Sequence, residues 1–133
     1  MALEFTGSLR YPPPRAEWLS QVCEDPLLPD LPIIDAHHHI WAEPGNVYGL
    51  PDLVADVRGG HRVIATVLVE SHGFYRPGGP EALRPVGETE AIVQALDSQP
   101  ELVAQGLCRA IVAKADLTLG VHVEEVVAAH RAA

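Results

Sequence analysis

Positive charge is scarce in this chain. Nine Lys and Arg stand against 18 Asp and Glu, for a formal net charge of −9. General binding to nucleic acid or to an anionic membrane surface needs a basic face, so neither is expected as a partner. Cysteine is scarcer still. Cys23 and Cys108 lie far apart and in no metal-type spacing, so free thiols in a reducing compartment are expected. Aromatic residues make up only 5 % of the chain. No apolar run is long enough to span a bilayer. The opening MALEFTGSLR lacks the apolar stretch of a secretory signal, which makes the cytoplasm the expected location.

What the chain does have is proline and glycine, 12 and 11 residues, and an ordinary globular balance of apolar and charged residues. Its 133 residues suffice for one small domain with its own core. Residues 1–31 read as a proline-rich arm, because YPPPRAEW and EDPLLPDLP cannot sustain long regular elements. A short helical turn near residues 16–22 is the exception. From Pro32 a regular alternation begins. Residues 32–37 form a short apolar strand, 51–58 a short helix, and 63–69 (VIATVLV) a strand buried on both faces. Residues 85–96 follow as a helix opened by Pro85, with Glu88 and Glu90 favouring its positive end. Residues 107–113 (LCRAIVA) are a third strand and 121–131 a third helix. Apolar strands joined by helical crossovers specify an α/β fold with a parallel sheet.

The stretch LPIIDAHHHIW, residues 31–41, carries the chemistry. Side chains alternate along a strand, so Asp35, His37 and His39 share one face and His38 points the other way with Ala36 and Ile40. Two imidazoles two residues apart, where a strand enters its loop, can hold one divalent cation. The competing reading is a pair of hydrogen-bonded polar side chains at a strand end.

These residues resemble the first strand of the amidohydrolase superfamily, in its amidohydrolase-related, lactonase-type branch. FYRPGGPEALRPVGETE (residues 74–90) is similar to the stretch between the second strand and second helix of that branch, and AIVAKADLTLG (110–120) to its third strand and loop. The resemblance implies a (β/α)8 TIM barrel with its active site at the C-terminal mouth of the strands. It also implies that residues 32–133 are the first three βα units of an incomplete barrel, since such a barrel takes on the order of 250 residues. The chain is then an N-terminal fragment. His37 and His39 become metal ligands, with zinc or manganese as the expected ion, although some relatives are thought to manage without tightly bound metal. The remaining ligands and the proton acceptor of the family come from later strands. No complete catalytic set is therefore expected here, and the isolated chain should be inactive.

Four further residues are substrate-binding candidates: Glu70 and His72 at the end of the second strand, Arg76 in the loop after it, and Lys114 just past the third strand. Arg76 has the bidentate fork that suits a carboxylate, and Lys114 suits an anionic group. Asp35 is a candidate to orient His37. The expected function is water attack on a lactone or related ester, with an anionic small molecule as substrate. Decarboxylation of an aromatic or unsaturated acid is the alternative within the superfamily. A non-catalytic half-barrel that pairs with another chain through its open edges is the alternative outside it.

Overall fold

The computed structural model describes residues 15–43 and 46–133. The first half of the proline-rich arm lies outside the described residues. Its second half makes one helical turn, α1 (Ala16–Leu19), then runs irregularly and largely exposed to Leu31. It meets the body where Arg62 donates to the Asp30 carbonyl at 3.4 Å.

The body opens with β1 (Pro32–His38). A two-stranded antiparallel hairpin follows, β2 (Trp41–Glu43) and β3 (Asn46–Tyr48), which sequence reading did not anticipate. Helix α2 (Leu50–Val57) has Pro51 in its first turn, and the Asp52 carboxylate accepts from the Gly49 N–H at 2.7 Å, so one exposed donor is satisfied. Then come β4 (Arg62–Val69), α3 (Val86–Asp97), the short α4 (Pro100–Ala104), β5 (Ala110–Val112) and α5 (Val123–Ala132).

The three expected strands pair as one parallel sheet in the order β1-β4-β5. The described residues thus form an α/β unit with an open sheet, not a closed barrel. Strand β4 occupies the centre because its apolar run is the longest and suits burial on both sides. Register sets His38, Leu68 and Ile111 abreast. On this covered face Leu68 joins one core cluster with Leu50 and Leu53 of α2 and Ile92 and Leu96 of α3. Leu53, Leu68, Val86 and Val126 are fully buried, and each such side chain contributes about 1.5–3 kcal/mol by leaving water.

Helix α4 was not anticipated, and in the body two elements depart from their expected bounds by more than one residue. The third strand was expected over residues 107–113 but spans only Ala110–Val112. Gly106 and Cys108 both have positive φ (87° and 47°), which breaks the extended backbone before Ala110. The last helix begins at Val123 rather than Val121, because residues 117–122 form 3-10 turns kinked at Gly120. Among the described residues no helix is long and apolar enough to cross a membrane.

Candidate functional site

His37 and His39 come together, as expected, but strict alternation does not hold along β1. Its register against β4 shifts between Asp35 and His38, and Ala36, expected on the face of His38 and Ile40, is exposed while those two are buried. The Nε2 atoms of His37 and His39 lie 3.3 Å apart, with the rings edge to face. The Nδ1 of His39 lies 2.7 Å from the carbonyl oxygen of Val69 at the end of β4. A carbonyl only accepts, so Nδ1 carries the proton and Nε2 presents its lone pair towards His37. Trp41 packs beside the His39 ring, with centroids 5.1 Å apart.

This spacing can be tested against a metal. Two imidazole nitrogens about 2.0–2.1 Å from one tetrahedral ion lie about 3.4 Å apart. The pair fits as two ligands, and a ring nitrogen bonded to a backbone carbonyl is the usual support for a ligating histidine. The fit is partial. Among the described residues no group of three or more His, Cys, Asp or Glu is placed to hold an ion. Asp35 touches His37 through the main chain, accepting from its backbone N–H at 3.1 Å, and not through the ring.

His38 faces the other way and is buried. Its Nε2 lies 2.9 Å from the Thr66 hydroxyl and 3.9 Å from Cys108 Sγ, while its Nδ1 has no partner. Burial holds the imidazole below its ordinary range, opposed by the charge of Asp35. Burial likewise pushes the Cys108 thiol up to about 11, so this cysteine is a thiol and not a nucleophile. Both cysteines are free, Cys23 exposed and Cys108 buried.

The substrate-binding candidates gather at the same C-terminal edge in two groups. Glu70, His72 and Lys114 form a network with Tyr75. Glu70 accepts from the Tyr75 hydroxyl and from the His72 backbone N–H (3.0 Å), which holds His72 at a positive φ of 65°. Burial first, and then this bond to Glu70, raises the Tyr75 phenol above its usual range. His72 stacks on Tyr75 with centroids 5.2 Å apart, and its Nε2 lies 2.8 Å from Lys114 Nζ. Arg76 stands apart. Its fork is taken by Glu90 of α3, through Nε at 3.0 Å and through Nη2. A ligand carboxylate would have to displace Glu90.

Two polar residues shape this edge without having been marked as site candidates. Glu88 was expected to serve the positive end of its own helix. It is instead buried and turned across to the β4 loop, accepting from Ser71 N (2.9 Å), Ser71 Oγ (3.3 Å) and Gly73 N (2.9 Å). Burial raises its carboxyl above the usual range, and these bonds oppose the rise. His130, expected to be an ordinary helix histidine, donates from Nε2 to the Lys114 carbonyl (3.0 Å). Its Nδ1 accepts from the Thr89 hydroxyl (2.9 Å). The sequence holds no local signal for either, because both partners lie on other elements.

No family model matches the chain, and no curated protein and no solved structure matches it.

Proposed function

We propose that these residues are the opening units of an amidohydrolase-type hydrolase that cleaves a lactone or related carboxylic ester. The observation that carries the reading is the convergence of His37 and His39 at the strand end, with His39 oriented by Val69. His37 and His39 would hold a divalent ion, zinc or manganese. Such an ion, when bound, polarises a carbonyl and lowers the pKa of water. Lys114 and His72 stand at the neighbouring strand ends, where an anionic substrate group would meet them. Glu70 fixes the backbone and tyrosine around them. A complete catalytic set requires groups beyond the described residues, so hydrolysis is assigned to the assembled barrel. With both thiols free, the cytoplasm is the compartment that fits.

Calorimetric titration of zinc or manganese into the chelator-treated chain tests the first step. One ion per chain should bind, and His37→Ala or His39→Ala should abolish it while the exposed His61→Ala leaves it intact. Undiminished binding in both site variants would remove the metal assignment. A screen of lactones for acid release, run beside a screen of unsaturated acids for carbon dioxide, separates hydrolysis from decarboxylation.

A second reading has its own observation. Ile34, Ile64 and Val112 of the sheet are 60 %, 46 % and 53 % exposed, and β1 and β5 each have an unpaired edge within the sheet. Apolar open edges favour pairing with another chain. Light scattering at micromolar concentration distinguishes a discrete dimer from a monomer.

A further inference from the structure

A cavity of about 610 Å3 lies beside the Glu70–His72–Tyr75–Lys114 network. Tyr75, Arg84, Pro85, Lys114, Asp116 and Leu119 line it, and neither His37 nor His39 does. Its size is that of a small-molecule pocket.

The charges in it are unequal in availability. Asp116 is engaged, its Oδ1 accepting from the Thr118 backbone N–H (2.9 Å) and hydroxyl (2.6 Å). Glu81 sits on the exposed 3-10 turn before α3. Lys114 and Arg84 form no ion pair among the described residues. Lys114 is instead held by neutral groups. Its Nζ is 2.8 Å from His72 Nε2 and 5.7 Å from the centre of the Tyr75 ring. An ammonium has only donors, so His72 Nε2 accepts and the imidazole is neutral. The bond from His130 to the Lys114 carbonyl anchors the backbone from the opposite side. Lys114 is therefore a positioned cation outside any ion pair, within electrostatic reach of Asp116. Pro85, Leu119 and the Tyr75 ring add apolar surface to the lining.

We propose that this cavity binds a small organic carboxylate carrying an apolar body. Lys114 and Arg84 meet the carboxylate, and Tyr75, Pro85 and Leu119 cover the body. His130 is a positioning residue that sets Lys114. The inference names the class of anion for which Lys114 was read as a substrate contact and rests on that reading, but it does not rest on the metal assignment.

The test is an amide NMR titration of the full chain with benzoate, benzamide and inorganic phosphate. Benzoate should shift residues 81–85 and 114–119 saturably, and benzamide should bind about tenfold or more weakly, since it lacks the charge. Lys114→Gln and Arg84→Gln should each weaken benzoate by about tenfold, while a change at the exposed Glu124 of α5, Glu124→Gln, should not. Equal binding of benzamide, tighter binding of phosphate, or full affinity in Lys114→Gln would each overturn the proposal. Zinc titrations of the same samples separate the two assignments. Benzoate binding without zinc binding sinks only the metal, and zinc binding without benzoate binding sinks only this site.

Discussion

The Nδ1 of His39 lies 2.7 Å from the carbonyl oxygen of Val69, so the end of β4 decides which nitrogen of a β1 histidine is free. Among the described residues the His37 ring has no hydrogen-bond partner except His39. One imidazole of the pair is thus pre-set and the other can turn. Nitrogen NMR of the rings should find His39 protonated at Nδ1. Added zinc should then move the Nε2 resonances of both histidines while Nδ1 of His39 keeps its proton. Finding the proton of His39 on Nε2 would refute this relationship.

Thr66 joins two elements through one hydroxyl. Its Oγ1 bonds His38 Nε2 (2.9 Å) and accepts from the Cys108 backbone N–H (2.8 Å), inside a core where no water replaces it. Thr66→Val leaves the Cys108 N–H buried and unpaired, and His38 Nε2 with only the weak contact to Cys108 Sγ at 3.9 Å. Urea denaturation should show a loss of about 1–3 kcal/mol, and Thr66→Ser should recover most of it. A Val variant as stable as the parent would mean the hydroxyl contributes nothing net.

His38 also gives the stability a pH dependence. Burial lowers its folded pKa below 6.5, the value of a free imidazole. Between those two values the unfolded chain binds a proton that the folded chain refuses, so stability rises with pH there. His38 should therefore add no penalty above pH 6.5, and stability should decline as the pH falls below it. Denaturation midpoints from pH 8 to pH 5 measure this, and His38→Gln should flatten the slope.

Much of this arrangement was legible in the sequence, and the losses have physical reasons. The run VIATVLV located the central strand, since no polar side chain interrupts it over residues 63–69. The two-residue period placed His37 and His39 together and His38 in the core, but the register shift between Asp35 and His38 breaks it upstream, so Ala36 does not join His38 on the covered face. The third strand was read too long because Cys108, a residue with no usual claim on positive φ, adopts φ 47° to bring its N–H to Thr66. The β2–β3 hairpin was missed although the Pro44-Gly45 pair between its strands is a turn signal. Glu88 sits where a carboxylate would favour its own helix, so local rules alone assign it there. Only the return of the β4 loop past α3 shows that it serves Ser71 and Gly73 instead.

Close backbone approach makes Gly87 a further test. A Cβ at this position would lie 2.5 Å from Arg76 N and 2.6 Å from Phe74 O, both main-chain atoms that cannot swing aside. Gly87→Ala should cost about 1–3 kcal/mol or more, as overpacking does. Gly78→Ala, with nothing within 4 Å, should be close to neutral. Equal midpoints for the two variants in thermal unfolding would show that the α3–loop contact can open to admit a methyl group.

Glu88 sets a charge cost against three accepted hydrogen bonds. Its raised pKa says that burial outweighs the bonds in the balance between its two protonation states. Glu88→Gln removes the buried charge, but its NH2 then faces either the Ser71 or the Gly73 N–H, donor against donor. At pH 7 the lost bond should make the variant less stable by about 1–2 kcal/mol. The folded carboxyl takes up its proton at higher pH than the unfolded one, so the parent's burial penalty eases as pH falls through the folded pKa. The parent should therefore gain stability relative to the variant as the pH falls, and urea denaturation should find the gap between them widening on acidification. A gap that stays constant from pH 7 downward would mean that the folded and unfolded carboxyls take up their protons alike, and that burial does not raise the pKa of Glu88.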